Sequence, residues 1–244
     1  MVNYRNQLSN AVKVFWETRE IQKEKQGSST GKKDYGSRSS VTGGKQLDGF
    51  ISLFNSMLKE LGLSERSIHI RNSILPGYFR PTKEWDLVVV ENNQLIATIE
   101  CKSHIGPSFG NNFNNRVEEA LGSASDIWTA YREGAFNISP RPWLGYLLVL
   151  EEHEKSLKPV KNREPHFPVF PEYDSASYLK RYELFCEKLM KERIYDSACL
   201  IVSDRENGRL GSYKEPVKEL NFHNFISSLS GKVTEYLLKI GTIE

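Results

Sequence analysis

The chain has 244 residues, 39% hydrophobic and 11% aromatic, so it can bury a core, and its length suits one domain with insertions better than two independent ones. Its 33 Lys and Arg nearly balance 31 Asp and Glu, which excludes a globally basic polyanion binder and leaves only a local patch for such a partner. Three cysteines without a CxxC or Cys/His cluster exclude a disulfide framework and a zinc site and imply reduced thiols, hence a cytosolic setting.

Residues 3–20 read as a helix with Leu8, Val12 and Phe15 on one side. The next stretch, EKQGSSTGKKDYGSRSSVTGGK, has almost nothing to bury and reads as a surface loop; Lys32, Lys33, Arg38 and Lys45 equip it to order on a phosphate backbone. Leu47, Phe50, Ile51, Phe54, Met57, Leu58 and Leu61 fall at helical spacing and predict a helix from Leu47 to about Leu61. Residues 69–80 are expected to hold a short strand and a turn at LPG, after which Pro81 leads into a hairpin, WDLVVVENNQLIATIECKS, with ENNQ as its turn.

After the hairpin, SHIGPSFGNNFNNR reads as a polar loop, followed by a helix whose stripe is Val117, Ala120, Leu121, Ala124, Ile127, Trp128 and Tyr131, ended by Gly134. WLGYLLVL at 143–150 is a buried strand, far below the roughly 18 apolar residues of a membrane span. The amino-terminal MVNYRNQLSN has no signal-peptide shape, so a cytoplasmic protein without membrane attachment is expected. An insertion at 151–173, a helix near 175–193, the strand SACLIVS and a helical segment at about 217–240 complete the chain. The expected fold is α/β, a mixed sheet flanked on both faces by helices: N-terminal helices and loop over 1–62, a core over 69–204, and a C-terminal helical segment over 205–244.

The hairpin carries charge where a buried sheet opens to water: Asp86 before its first strand, Glu100 and Lys102 near the exit of its second. Strand alternation puts Ile96, Thr98, Glu100 and Lys102 on one face and Leu95, Ala97, Ile99 and Cys101 on the other, with Glu100 and Lys102 about 6.6 Å apart at their Cα atoms. A lone Glu-x-Lys is most often a weak surface ion pair. Three charges at one end of an apolar hairpin instead suit Mg²⁺ and phosphodiester hydrolysis, because a hard cation takes a few carboxylate oxygens and completes its shell with water and phosphate. To act as a base near pH 7, Lys102 would have to surrender roughly 4 kcal/mol against two adjacent carboxylates, so orienting the water is its expected role. A simple two-residue turn at Asn92 and Asn93 would set Asp86 opposite Ile99, facing away from Glu100. A bulge, an odd-length loop, or Asp86 outside regular pairing is therefore expected.

Asp, about a dozen residues, then Glu-x-Lys resembles the PD-(D/E)xK nuclease pattern, with Trp85 in place of the leading Pro. Longer strings, SSVTGGKQLDGF (39–50), LPGYFRPTKEWDL (75–87), GPSFGNNFNNRVEEALGSASDIWTAYREGAF (106–136), REPHFPVFPEY (163–173) and RIYDSACLIVS (193–203), are similar to type II restriction endonucleases of the XhoI type, collinearly across most of the chain. That resemblance implies a restriction-endonuclease-like core and a Mg²⁺-dependent homodimer that cleaves double-stranded DNA at CTCGAG. It also implies 5′ overhangs and a companion DNA methyltransferase. It assigns metal binding to Asp86 and Glu100, with the Cys101 carbonyl oxygen as a further ligand, and places Lys102 beside the attacking water.

For DNA contact, Asn111, Asn112, Asn114, Asn115 and Arg116 have the chemistry of major-groove reading, balanced against turn formation and helix capping. Lys45 and the exposed Lys155, Lys158, Lys161 and Arg163 suit phosphate contact. Asp48 and Glu119 are weighed as additional ligands and left outside the core site, and His104 as a phosphate neighbour. Two alternatives stay open at this point: a repair or junction-resolving nuclease, and a DNA-binding protein without catalysis.

Overall fold

The computed structural model describes residues 4–29, 45–137 and 139–241. Helix α1 spans Arg5–Ser29, nine residues beyond the expected end, because IQKEKQ is built of good helix formers even though it has little to bury. Lys32, Lys33 and Arg38 lie outside the described residues. Lys45 is exposed at the start of a 3-10 turn, Lys45–Leu47, that runs into helix α2, Asp48–Glu60. The α2 stripe is as the spacing predicts, with Phe50, Phe54, Met57 and Leu58 buried.

The main sheet contains β1 (Ile68–His69), β4 (Leu87–Glu91), β5 (Gln94–His104), β6 (Trp143–Glu151) and β7 (Ser197–Ser203), hydrogen-bonded in that order. The β1–β4 and β4–β5 pairs are antiparallel, and the β5–β6 and β6–β7 pairs parallel. Between them, β2 (Ile74–Pro76) and β3 (Thr82–Glu84) form a separate two-stranded hairpin whose second strand the sequence reading did not anticipate. Parallel strands need crossovers, which helix α3 (Phe109–Arg132) and, after the short helix α4 (Glu154–Leu157), helix α5 (Tyr178–Lys191) supply. Both β6 and β7 are buried throughout, as covered parallel strands must be.

The layers follow from the two sides of the sheet. Leu87, Val89, Ile99, Leu147, Val149 and Ile201 pack with α1, α2 and the carboxy-terminal helix, Phe222–Lys239. Val88, Leu95, Tyr146, Leu148 and Leu200 pack with α3 and α5. All three cysteines are buried free thiols. Among the described residues, no helix is long and apolar enough to cross a membrane.

One boundary moves in a way that matters for the site. Helix α3 begins at Phe109, not near Val117, because Phe109 and Phe113 extend the apolar stripe two turns toward the amino terminus and become buried. The stretch FGNNFNNR is therefore helix rather than loop. At the other end, Gly134 sits just past α3 with φ of 81°, the left-handed conformation glycine adopts freely. Leu121, placed on the buried stripe by spacing, is 39% exposed.

Candidate active site

The hairpin that carries the charges contains both a two-residue turn and a bulge. Asn92 and Asn93 have φ of 50° and 61°, the left-handed pair a tight hairpin turn requires. Val90 pairs with Leu95, yet Val89 pairs with Ala97, so Ile96 is an extra residue on β5. From there Leu87 lies opposite Ile99 as the last pair of the ladder, and Asp86 stands just before it, where the Glu100 charge acts on it. The bulge expected from the register argument is thus present. It also corrects the strict alternation: Ile96 joins Ala97, Ile99 and Cys101 on the α1/α2 side, and Leu95 turns to the α3/α5 side.

Asp86 accepts a hydrogen bond from the backbone N–H of Cys101 at 2.7 Å, which ties the start of β4 to the charged part of β5. Burial, and secondarily the Glu100 charge, push the Asp86 carboxyl up to about 6, against the opposing pull of Lys102 and Lys83. Glu100 is 3% exposed. Burial alone would raise its pKa, but the ammonium groups of Lys102 and Lys83 outweigh that and hold it below the ordinary glutamate range. Lys102 forms an ion pair with Glu100 Oε1, and although burial opposes its charge, Glu100 and Asp86 together raise its pKa. It therefore stays protonated at neutral pH.

Lys83 is the member that sequence reasoning missed. Its Nζ lies 2.7 Å from Glu100 Oε2, with the side chain 13% exposed. On β3 it pairs with buried Leu75, which directs it inward, whereas Thr82 and Glu84 are exposed. A signal existed: Lys83 and Trp85 alternate in register three and one residues before Asp86, and the ammonium stacks over the Trp85 ring at 4.2 Å.

The donor set fits a hard cation: two converging carboxylates, one of them short of compensating positive charge, beside the Cys101 main chain. The Cys101 side chain packs into the opposite core and takes no part. Among the described residues no group of three or more His, Cys, Asp or Glu side chains is gathered for a metal.

The other candidates divide. Gln46 Nε2 donates to Ser103 Oγ at 2.7 Å, which brings the segment carrying Lys45 beside the end of β5 just past Lys102. Asn111, Asn114 and Asn115 are exposed on one face of α3, with Asn112 half-buried, so they are presented by a rigid helix and none caps it. Arg116 pairs with Glu119, whose charge also acts on Lys102, and the Arg116 Nε is buried without a partner. Asp48 is exposed on α2, across the sheet from Glu100. Lys155, Lys158, Lys161 and Arg163 are exposed in the connection after β6.

His104 is a correction. It is 1% exposed, with Nδ1 2.6 Å from the Tyr182 hydroxyl and Nε2 3.2 Å from the Ser108 carbonyl. Burial lowers its pKa to about 4, so it is a neutral core histidine and not a phosphate neighbour.

A mixed α/β sheet that gathers two acids and two lysines at one rim describes a class of site; similarity to known proteins specifies which. The family model of restriction endonuclease XhoI matches residues 25–215, a span that contains Lys83, Asp86, Glu100 and Lys102. The type II restriction enzyme BstVI of Geobacillus stearothermophilus is 55% identical over 203 residues, covering 81% of this chain and 91% of its own length. The type II restriction enzyme XhoI of Xanthomonas vasicola is 49% identical over 158 residues, 64% of each chain, and AbrI of Azospirillum brasilense 46% over 169 residues, 68% of this chain and 75% of its own. No solved structure matches. The protein is a restriction endonuclease, a hydrolase that cuts within a nucleic-acid chain, and it belongs to the XhoI family.

Proposed function

We propose that this enzyme hydrolyses phosphodiester bonds in double-stranded DNA at the palindrome CTCGAG, leaves 5′ overhangs, and works with Mg²⁺ through a PD-(D/E)xK centre formed by Asp86, Glu100 and Lys102. The target and the overhang polarity rest on the resemblance of the long sequence strings, and the class of enzyme on the relatives. The catalytic assignment rests on one observation: with the ladder shifted by the Ile96 bulge, Asp86 stands beside Glu100 at the rim where Lys102 is held protonated.

Asp86, Glu100 and the Cys101 carbonyl oxygen would hold the ion, which supplies Lewis acidity and a hydroxide near neutral pH. Lys102, charged and paired with Glu100, orients the attacking water and compensates charge that builds on the phosphate oxygens. The burial of Glu100 strengthens the electrostatic contacts it makes. A palindrome asks for a two-fold reader, so the working form is a homodimer in the bacterial cytosol, each subunit cutting one strand. A cognate DNA methyltransferase protects the host's sites. In this reading the exposed asparagines of α3, with Arg116, read bases, and Lys45 and Arg163 contact phosphates.

The test is cleavage of a plasmid carrying one CTCGAG site in the presence of Mg²⁺. Wild type should yield a single linear product, and Glu100→Ala and Lys102→Ala should leave the plasmid intact while still binding duplex. Cutting of branched junctions in preference to the linear site would support a resolving nuclease instead.

A further inference from the structure

The two oxygens of Glu100 are each taken by an ammonium group, Lys102 from the same strand and Lys83 from the separate β2–β3 hairpin. With Asp86 and Glu100 ionised, the two lysines leave this cluster of four groups neutral. A divalent cation between the carboxylates would leave it with a surplus of two positive charges in a largely buried place, where such an excess is expensive. Releasing one lysine and admitting one phosphate removes that surplus.

Lys83 is the lysine built to leave. Its Nζ also donates to the Glu84 carbonyl at 2.9 Å and lies over Trp85, so it keeps partners when it lets go of Glu100. The hairpin itself has reason to stay in place. Asp126 on α3 accepts hydrogen bonds from the backbone N–H groups of Tyr78 and Phe79, each at 2.7 Å, and from Arg80 Nε at 2.8 Å. A Cβ on Gly77 would lie 2.4 Å from the Asp126 carboxylate, so the turn is closed tightly on that anchor. The movement is therefore one of a side chain.

We propose that Lys83 is a positioning residue that takes the ion's place on Glu100 in the metal-free enzyme and transfers to a DNA phosphate when the ion enters. This rests on the two-carboxylate ion site proposed above. Ion loading and duplex binding then favour one another, because each removes charge the other leaves unbalanced, and such coupling is reciprocal. An enzyme built this way holds Glu100 neutralised until metal and DNA are both present.

The experiment is a titration of DNA-free protein with Mn²⁺, with free ion read by electron paramagnetic resonance, on wild type, Lys83→Met, Lys83→Gln and Asp86→Asn, each checked for folding by circular dichroism. Removing the competing ammonium should tighten Mn²⁺ binding about tenfold in both Lys83 variants, and Asp86→Asn should lose it. In a Lys102→Ala background that leaves duplex uncut, Lys83→Met should also reduce the salt dependence of Mn²⁺-supported duplex binding by about one phosphate contact. Unchanged or weaker Mn²⁺ affinity in both Lys83 variants, with binding still lost in Asp86→Asn, overturns the role of Lys83 and leaves the ion site standing. Mn²⁺ binding that is indifferent to Asp86 overturns the ion site and the inference together.

Discussion

Two aspartates on the α3/α5 side of the molecule, Asp126 and Asp86, are held to opposite effect. At the turn of the β2–β3 hairpin, Asp126 is satisfied by backbone N–H groups of the 78–80 segment and by Arg80, and these outweigh burial to hold its carboxyl below the ordinary aspartate range. At the rim of the main hairpin, Asp86 has one backbone donor, and burial first and the Glu100 charge second raise its pKa to about 6. A carboxylate whose donors outweigh burial stabilises the fold in its charged form. One that is buried with too few donors, beside another carboxylate, costs stability in that form and is ready to be neutralised by a ligand.

The largest expected effect comes from breaking the rim at Glu100. Glu100→Ala should reduce cleavage by about 10³-fold or more, and because it strands Lys83 and Lys102 beside one another in a buried place it should also cost roughly 3–5 kcal/mol in urea denaturation. Asp126→Ala comes next, with an expected loss of about 2–3 kcal/mol for freeing the turn amides and Arg80. Its stabilisation is present above the unfolded pKa of an aspartate and disappears as pH falls through the lower folded value, so wild type and variant should converge in acid.

Asp86→Asn should behave in the opposite sense. The folded pKa is raised, so stability from this group is present below about pH 4 and is lost as pH rises through 6. At pH 8 the variant should be more stable than wild type, by about 3 kcal/mol at most, and inactive; equal melting temperatures at pH 8 would count against the rim being electrostatically strained. Addition of Mg²⁺ should raise the wild-type melting temperature and leave that of the variant unmoved. The smallest effect belongs to Cys101→Ala: its backbone N–H serves Asp86 but its side chain packs on the far face, so a loss of ~1 kcal/mol with cleavage unimpaired is expected.

What could be read along the chain follows from local periodicity. The α2 stripe, the buried runs of β6 and β7 and the turn at Asn92 and Asn93 depend on residues a few positions apart, and they stand where spacing and turn chemistry put them. The three charges of the hairpin were visible for the same reason, as departures from an apolar pattern. Polarity misleads at the amino-terminal start of α3 and the carboxy-terminal end of α1, because Phe109 and Phe113, or plain helix propensity, prevail over it there.

The amino-acid sequence by itself determined the α/β class, the long strings shared with the XhoI family, and the need for some irregularity between Asp86 and Glu100. Only the tertiary structure decided that the irregularity is a bulge at Ile96, that His104 is closed into the core, and that Lys83 reaches Glu100 from another hairpin. Those three depend on which surfaces meet, and contacts between segments far apart along a chain leave no period in it.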